Sequence, residues 1–149
     1  MKSGKILPPT YFNSAIVLMI TLHFVIPVYD MIDYPYNLVG VIFILTGTLL
    51  NLWTDRLFKI YATTVKPFDE SSALIVDGPF QFSRNPMYLG GVVILFGLFL
   101  ILGSLSSFLI IPVFIFIVHQ RFILHEEQSL EKKFGDQFLE YKKRVRRWL

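Results

Sequence analysis

The sequence contains no cysteine and few histidines. The absence of cysteine excludes disulfides, thiolate nucleophiles, cysteine-ligated zinc and iron–sulfur clusters. The histidines are His23, His119 and His125, and the last two lie six positions apart, which puts them on different faces of a helix. We therefore expect no metal site.

Charged residues are also scarce, at 17% of the 149 residues, whereas hydrophobic residues make up 54%. A soluble domain contains about 25% charged residues. This composition is typical of an integral membrane protein, and the length fits a single domain over residues 1–149. Because the basic residues border apolar segments, the net charge of +3 favours contact with lipid headgroups, and we expect membrane lipids rather than nucleic acid as partners. The sequence does not indicate an oligomeric state.

The apolar segments predict an all-α membrane protein with about four transmembrane helices. Residues 11–29 carry no charge, and a helix needs roughly 20 residues to cross a bilayer. Residues 87–118 also carry no charge, but one helix of that length would reach about 48 Å, beyond the ~30 Å hydrocarbon core, so it must fold back at Gly103-Ser104. The predicted spans are 11–29, 36–54, 86–102 and 105–124, and the last two form a helical hairpin.

Two glycines in the second predicted span, Gly40 and Gly47, lie seven positions apart and share one helix face. Small residues on a common face allow membrane helices to approach closely. We interpret both glycines as packing residues.

The last part of the chain places apolar residues at spacings of three and four, with basic residues between them. This pattern predicts an amphipathic helix over residues 126–148 that breaks or bends at Gly135. A helix with one apolar and one basic face lies at a membrane surface. The apolar residues are Leu130, Phe134, Phe138, Tyr141, Val145 and Trp148.

The basic residues sort by segment. Two precede the first span, four lie in the central loop 55–85, and eight follow from Arg121 onward, which accounts for all 14. The positive-inside rule places such segments in the cytoplasm. We therefore predict a multi-pass protein whose termini and active site are cytoplasmic, with the central loop, the start of the third span and the end of the fourth on that side.

The residues Arg84-Asn85-Pro86 mark the point where the central loop becomes the third span. Asn85 is a favourable N-cap and Pro86 suits the first helical position, so we expect a helix to begin at Pro86. The unpaired N–H groups and the positive dipole end of this helix form an anion site. Arg84 stands beside this site, and Tyr88 lies in the first helical turn.

Two carboxylates, Glu126 and Glu127, follow the fourth span on the same predicted side. Because adjacent helical residues point about 100° apart, only one of them can face the start of the third span. We select Glu126 and interpret Glu127 as a solvated charge. An anion site opposite a carboxylate is complementary to a zwitterion, so the sequence predicts an amino-acid-like ligand.

An ordered set of motifs resembles the membrane superfamily of isoprenylcysteine carboxyl methyltransferases and phospholipid methyltransferases. The motifs are Gly78-Pro79-Phe80, Arg84 to Gly90, Glu126-Glu127, Phe134-Gly135 and Tyr141 to Val145. The resemblance covers the second half of the chain and implies S-adenosylmethionine as methyl donor and a lipophilic or lipid-linked acceptor. By position it implies cofactor contacts at Ser72, Ala73, Leu74, Ile75, Phe80, Asn85, Pro86, Met87, Tyr88 and Glu126.

We select Arg84, Tyr88 and Glu127 as candidate catalytic residues, and Arg121 and Phe122 as candidate acceptor contacts because the family's acceptor-holding residue falls there. The sequence departs from the family pattern at three positions. Ser72 stands where many carboxyl methyltransferases have a histidine, and Asn85 replaces the histidine of their Arg-His-Pro motif, a variant also seen among phospholipid methyltransferases. Phe122 stands where an arginine that holds the acceptor is expected. These departures leave the acceptor open.

A carboxylate acceptor needs no base, whereas an amine must arrive unprotonated, and the sequence offers only Glu127 or His125 as a base. The sequence therefore favours carboxyl O-methylation of an isoprenylcysteine-like acid over N-methylation of a phospholipid amine. A NADPH-dependent membrane reductase of the sterol type is a further alternative. A membrane scaffold without catalytic activity is another.

Overall fold

The computed structural model describes residues 7–26, 28–63 and 72–149. These ranges contain helices and no β-strand. A 3₁₀ turn, Tyr36–Leu38, leads into the second helix, and a π-helical turn, His119–Ile123, lies within the fourth. The helices are α1 (Pro8–Val25), α2 (Val39–Ile60), α3 (Pro86–Leu102), α4 (Leu105–Phe134) and α5 (Asp136–Arg144).

Helix α3 occupies the residues of the predicted third span, with Pro86 at its first position. It ends at Gly103, whose φ of +71° is a conformation that glycine adopts without steric cost. Helix α4 begins directly after this turn at Leu105, so the fold-back lies where the sequence predicted it. However, α4 continues past the predicted boundary at residue 124 and ends at Phe134.

The first two helices have bounds that differ from the prediction. Helix α1 begins at Pro8 and ends at Val25, while Pro27 of the predicted span lies outside the described residues. Helix α2 continues to Ile60, so the first residues of the predicted loop are helical. Asp55 and Lys59 form an i,i+4 ion pair of 2.6 Å that stabilises this extension. Residues 64–71 of the predicted loop are also outside the described ranges.

Two helical segments in the described part of the chain are long and apolar enough to cross a membrane, Tyr36–Ile60 and Leu105–Phe134. Helix α3 is also apolar but has only 17 residues. A row of exposed apolar side chains along α2 suits contact with lipid, and it contains Ile42, Leu45, Leu49 and Leu52. These features support a membrane location, while the four-span topology stays a prediction.

Helices α2 and α3 pack antiparallel through glycines that lie seven positions apart on each helix. A Cβ atom added to Gly40 would lie 2.3 Å from the carbonyl oxygen of Gly97, and one added to Gly47 would lie 2.6 Å from that of Gly90. Larger side chains would force the two backbones apart. Gly40 and Gly47 therefore act in packing, as the sequence predicted.

The main core lies between α1, α3 and α4. Phe12 of α1 packs edge-on against Phe114 of α4, with ring centroids 6.1 Å apart, and both rings lie near Gly91 of α3. The most deeply buried side chains of this core are Met19, Leu95, Val118, Phe122 and Ile123. In this arrangement the N-terminal ends of α1 and α3, the C-terminal end of α2 and the second half of α4 meet at one end of the bundle.

The C-terminal region is divided at Gly135, whose φ of +50° ends α4, so the predicted helix 126–148 is broken at the residue where the sequence predicted a break or bend. The apolar face of α5 packs against Ile75 and Phe80, and the Tyr141 hydroxyl donates a 2.7 Å hydrogen bond to the Phe80 carbonyl. The chain itself thus covers the face that the sequence assigned to a membrane surface. Placement of this region on lipid stays a prediction. The buried residues are Phe138, Tyr141 and Val145.

Candidate functional site

A cavity of about 480 Å³ lies at the end of the bundle where these helix ends meet. This volume falls in the range of about 300–1,000 Å³ that is usual for small-molecule sites. Residues from α1, α2, α3 and α4 line it, together with the segment before α3. The lining includes Phe80, Arg84, Asn85, Pro86, Met87, Tyr88 and Glu126 of the site predicted from sequence.

Tyr88 and Glu126 are hydrogen-bonded at this cavity. The Tyr88 hydroxyl donates a 2.6 Å hydrogen bond to Oε1 of Glu126. Because Tyr88 lies in the first turn of α3 and Glu126 lies in α4, this bond joins the two elements that the sequence predicted to meet. The Tyr88 ring also stacks on Phe122, with centroids 6.4 Å apart, which restricts its orientation. Glu126 lines the cavity, whereas the adjacent Glu127 does not.

The start of α3 differs from the prediction at Asn85, whose side chain makes no capping hydrogen bond to the helix. The side-chain Nδ2 of Asn85 instead donates to the carbonyl oxygen of Arg147 at 3.1 Å. The backbone carbonyl of Asn85 accepts from the N–H of Leu89 at 3.0 Å. Helix geometry leaves the N–H groups of Met87 and Tyr88 without a partner inside the helix. Both residues line the cavity, so this helix start can still bind an anionic group.

Arg84, Glu127 and Arg147 form an ion-pair cluster beside the cavity, which we call the arginine–glutamate cluster. The side chains of Arg84 and Glu127 are buried, and that of Arg147 is partly exposed. Glu127 Oε1 accepts from Arg84 Nη2 at 2.8 Å, and its Oε2 accepts from Arg147 Nη2 at 2.7 Å. Each arginine also donates from Nε to Oε1 at 3.1 Å. The Glu127 side chain is only 7% exposed, so the prediction of a solvated charge was wrong. Two guanidinium groups compensate the buried carboxylate.

The sequence predicted that Arg84 is a cation beside an anionic ligand. The contacts of Arg84 within the cluster change this interpretation. Its Nη1 donates to the carbonyl oxygens of Lys142 at 3.1 Å and Val145 at 2.9 Å. With the two bonds to Glu127, the guanidinium makes four hydrogen bonds inside the protein. Arg84 therefore joins the start of α3 to α4 and to the C-terminal residues. The hydrogen bond from Arg147 to Glu127 raises the pKa of Arg147, so this guanidinium is charged.

Six further predicted site residues lie away from the cavity lining. Ser72 donates from Oγ to the carbonyl of Ala62 at 3.0 Å, and Ile75 is buried in the core beside α5. Phe122 is buried in the main core, and Arg121 is exposed. The cofactor and acceptor contacts assigned to these residues stay predictions. The full set is Ser72, Ala73, Leu74, Ile75, Arg121 and Phe122.

Sequence reasoning missed the contribution of α2. Thr48, Asn51 and Asp55 line the cavity, and their spacings of three and four put them on one face of this helix. The sequence signal that could have revealed this contribution is the set of polar residues on one face of an otherwise apolar helix. Oδ1 of Asn51 is buried without a hydrogen-bond partner among the described residues, and it packs against Gly90 of α3.

The fold and the cavity define a helical membrane protein with a small-molecule site between its helix ends. The phospholipid methyltransferase family matches residues 36–137, about two thirds of the chain, and the protein therefore belongs to that family. The match begins at α2, earlier than the resemblance noted from sequence, and includes Arg84, Tyr88, Glu126 and Glu127. Helix α1 and the chain from Phe138 onward, which includes most of α5, lie outside it.

A curated relative covers a smaller region. An uncharacterized protein of Haemophilus influenzae is 44% identical over 63 residues, which is 42% of this chain and the full length of the relative. No solved structure matches the chain significantly. Family membership places the protein among membrane methyltransferases, and none of the comparisons supports the reductase alternative.

Proposed function

We propose that this protein transfers a methyl group from S-adenosylmethionine to a lipophilic acceptor. The observation that carries the proposal is that one cavity brings together the start of α3, with its unpaired N–H groups, and the carboxylate of Glu126. Family membership supplies the reaction class. The residues in the cavity identify the side chains that would hold the donor.

The lining fits the chemistry of the donor. S-adenosylmethionine is a zwitterion that carries an ammonium, a carboxylate and an activated methyl on a sulfonium. Glu126 can pair with the ammonium, and its carboxylate is oriented by the Tyr88 hydroxyl. The N–H groups of Met87 and Tyr88 can bind the carboxylate at the positive end of α3. Since the donor needs no further activation, the protein has to align donor and acceptor and exclude water.

Aromatic side chains make the cavity suitable for excluding water. Phe12, Phe58, Phe80 and Phe114 contribute to its lining from four different parts of the chain. Phe58 and Phe80 pack edge-on, with centroids 5.7 Å apart, as Phe12 and Phe114 do on the other wall. An apolar wall of this kind also suits an acceptor with a lipid chain.

The charges in the cavity favour an amine acceptor, in contrast to the sequence-based preference for a carboxylate. Among the described lining residues, Arg84 is the one basic side chain, and it is already bonded to Glu127. Asp55 and Glu126 add two carboxylates. A carboxylate acceptor would have no free cation to pair with, whereas a neutral amine that takes the methyl group could lose its proton towards Asp55, whose carboxylate also pairs with the exposed Lys59. We therefore propose N-methylation of a lipid amine, with carboxyl O-methylation as the alternative.

The first test is titration calorimetry on protein purified in detergent. S-adenosylhomocysteine should bind, and NADPH should not. Glu126→Gln removes a charge-assisted contact of about 1.5–3 kcal/mol and should weaken binding by about 10- to 150-fold. Glu131→Gln is the matched control, because Glu131 is an exposed residue of the same helix. Binding of NADPH alone, or of neither ligand, would overturn the proposal.

The second test identifies the acceptor. Protein, methyl-labelled donor and a total lipid extract are incubated, and the labelled lipids are treated with alkali. A methyl ester releases its label as methanol, whereas a methylated amine retains it. Retention of the label supports the amine, and its release supports the carboxylate.

A further inference from the structure

We propose that the C-terminal segment, residues 145–148, positions the methyl-transfer site, and that Arg147 is its central positioning residue. This proposal rests on the proposed function, since it assigns a role at the same site. The segment lies outside the region matched by the family, so family membership does not account for it.

The backbone of this segment holds the residues that precede α3. The chain leaves helical geometry after Arg144, and three successive carbonyl groups then accept hydrogen bonds from residues 83–85. The Val145 carbonyl accepts from Arg84 Nη1 at 2.9 Å, and the Arg146 carbonyl accepts from the Arg84 N–H at 3.0 Å. The Arg147 carbonyl accepts from Ser83 Oγ at 3.3 Å and from Asn85 Nδ2 at 3.1 Å. These bonds explain why the Asn85 side chain does not cap its own helix.

The side chain of Arg147 connects the same residue to α4. Its guanidinium holds both oxygens of Glu127, from Nη2 at 2.7 Å and from Nε at 3.1 Å. Arg147 thus contacts the start of α3 through its carbonyl and α4 through its guanidinium. Trp148 continues into the main core and anchors the segment.

The two ends of this connection lie next to the residues that face the cavity. Glu127 is adjacent to Glu126, and Asn85 lies one helical turn before Tyr88. A shift of Arg147 would therefore change the distance between α3 and α4 at the Tyr88–Glu126 hydrogen bond. Arg147 itself does not line the cavity, so its effect on catalysis is indirect.

The test compares Arg147→Lys with Arg144→Lys. Lysine keeps the charge that Glu127 requires but cannot form the two-bond contact of a guanidinium, so the variant separates geometry from charge. Arg144 is an exposed arginine at the end of α5 and serves as the matched control. We expect Arg147→Lys to lower kcat by about 10- to 100-fold, because small misplacements of reacting groups have effects of that size. Rates are normalised to the number of S-adenosylhomocysteine sites in each preparation, which removes the contribution of unfolded protein. Arg144→Lys should keep the wild-type kcat.

A second readout does not depend on activity. Because the chain has no cysteine, spin labels can be attached to Gln81→Cys and Gln128→Cys, which are exposed on either side of the connection. Pulsed electron resonance should give a narrow distance distribution in the parent and in Arg144→Lys, and a broader one in Arg147→Lys. If Arg147→Lys does not fold, both kcat per site and the spin-label distances are measured on Arg147→Gln instead.

The outcomes separate the two proposals. Wild-type protein that binds no S-adenosylhomocysteine and methylates no lipid contradicts the proposed function, and the spin-label distances then decide whether the segment positions α3 against α4. An active wild type with an unchanged kcat per site and unchanged distances in Arg147→Lys overturns the positioning role. A lower kcat per site together with a broader distribution supports it.

Discussion

The two ends of the helix bundle both contain buried polar clusters, but the clusters differ in charge. At the end where α3 turns into α4, His23 Nδ1 lies 3.0 Å from Ser104 Oγ, and Ser107 Oγ donates to the Ser104 carbonyl at 2.7 Å. At the other end, the arginine–glutamate cluster joins α3, α4 and the C-terminal segment. The neutral groups of His23, Ser104 and Ser107, which we call the serine cluster, stabilise the turn between α3 and α4. The arginine–glutamate cluster instead supports the wall of a cavity.

Two adjacent carboxylates therefore have different roles, since Glu127 stabilises the fold and Glu126 faces the cavity. Glu127 is paired with two arginines, whereas the adjacent Glu126 lines the cavity and, among the described residues, accepts a hydrogen bond from the Tyr88 hydroxyl alone. A carboxylate bound by two guanidinium groups has little capacity left for a ligand. The carboxylate with the fewest internal partners is therefore the one to assign to the donor.

The largest effect is expected at the charged end. Glu127→Ala leaves the buried Arg84 guanidinium without a counter-charge, and removing one member of a buried ion pair costs about 3–5 kcal/mol. We expect the free energy of unfolding to fall by that amount, measured by chemical denaturation in detergent. Glu131→Ala, in an exposed pair with Lys142, should cost less than about 1 kcal/mol. Equal losses in the two variants would contradict the structural role of the cluster.

An intermediate effect should distinguish the two ends of the α2–α3 contact. Gly47→Ala and Gly40→Ala each place a methyl group against a facing carbonyl, and overpacking of this kind costs about 1–3 kcal/mol. Gly47 packs near the cavity, whereas Gly40 packs near the α3–α4 turn. We expect both variants to lose stability, but only Gly47→Ala to lose donor affinity per folded molecule, measured by calorimetry. Gly40→Ala is thus the control for donor affinity, since its added methyl meets a facing carbonyl in the same way but away from the cavity.

The smallest effect is expected in the serine cluster. Ser107→Ala removes the hydrogen bond to the Ser104 carbonyl, which is worth about 0.5–1.5 kcal/mol. The melting temperature should fall by only a few degrees, and methyl transfer per folded molecule should stay unchanged. A loss of activity without a loss of stability would show that this end also takes part in the reaction.

The local parts of the site could be predicted from the sequence because short-range rules decide them. The beginning of α3 follows from proline at the first helical position, and its end follows from a glycine that can adopt a positive φ. That only one of Glu126 and Glu127 can face the site follows from the angle between adjacent helical residues. Each of these inferences depends on residues within a few positions of one another.

The partners of the charged residues could not be predicted in the same way. Arg84 lies 43 positions from Glu127, and Arg147 lies 20 positions from it. With 14 basic and 11 acidic residues in the chain, no local rule selects this combination. The polar face of α2 was visible in its spacing, but only the packing of α2 against α3 brings that face to the cavity.

The sequence by itself determined the apolar helices and the start of the helix at the site, because composition, periodicity and helix-terminal residues act locally, and its motifs carried the resemblance to the methyltransferase superfamily. Only the tertiary structure decided which charges are buried as a cluster and which carboxylate remains for a ligand. It also decided that the C-terminal segment closes onto the start of α3. The reason is that the burial of a charge depends on counter-charges brought together from distant parts of the chain, and the sequence order does not reveal those contacts.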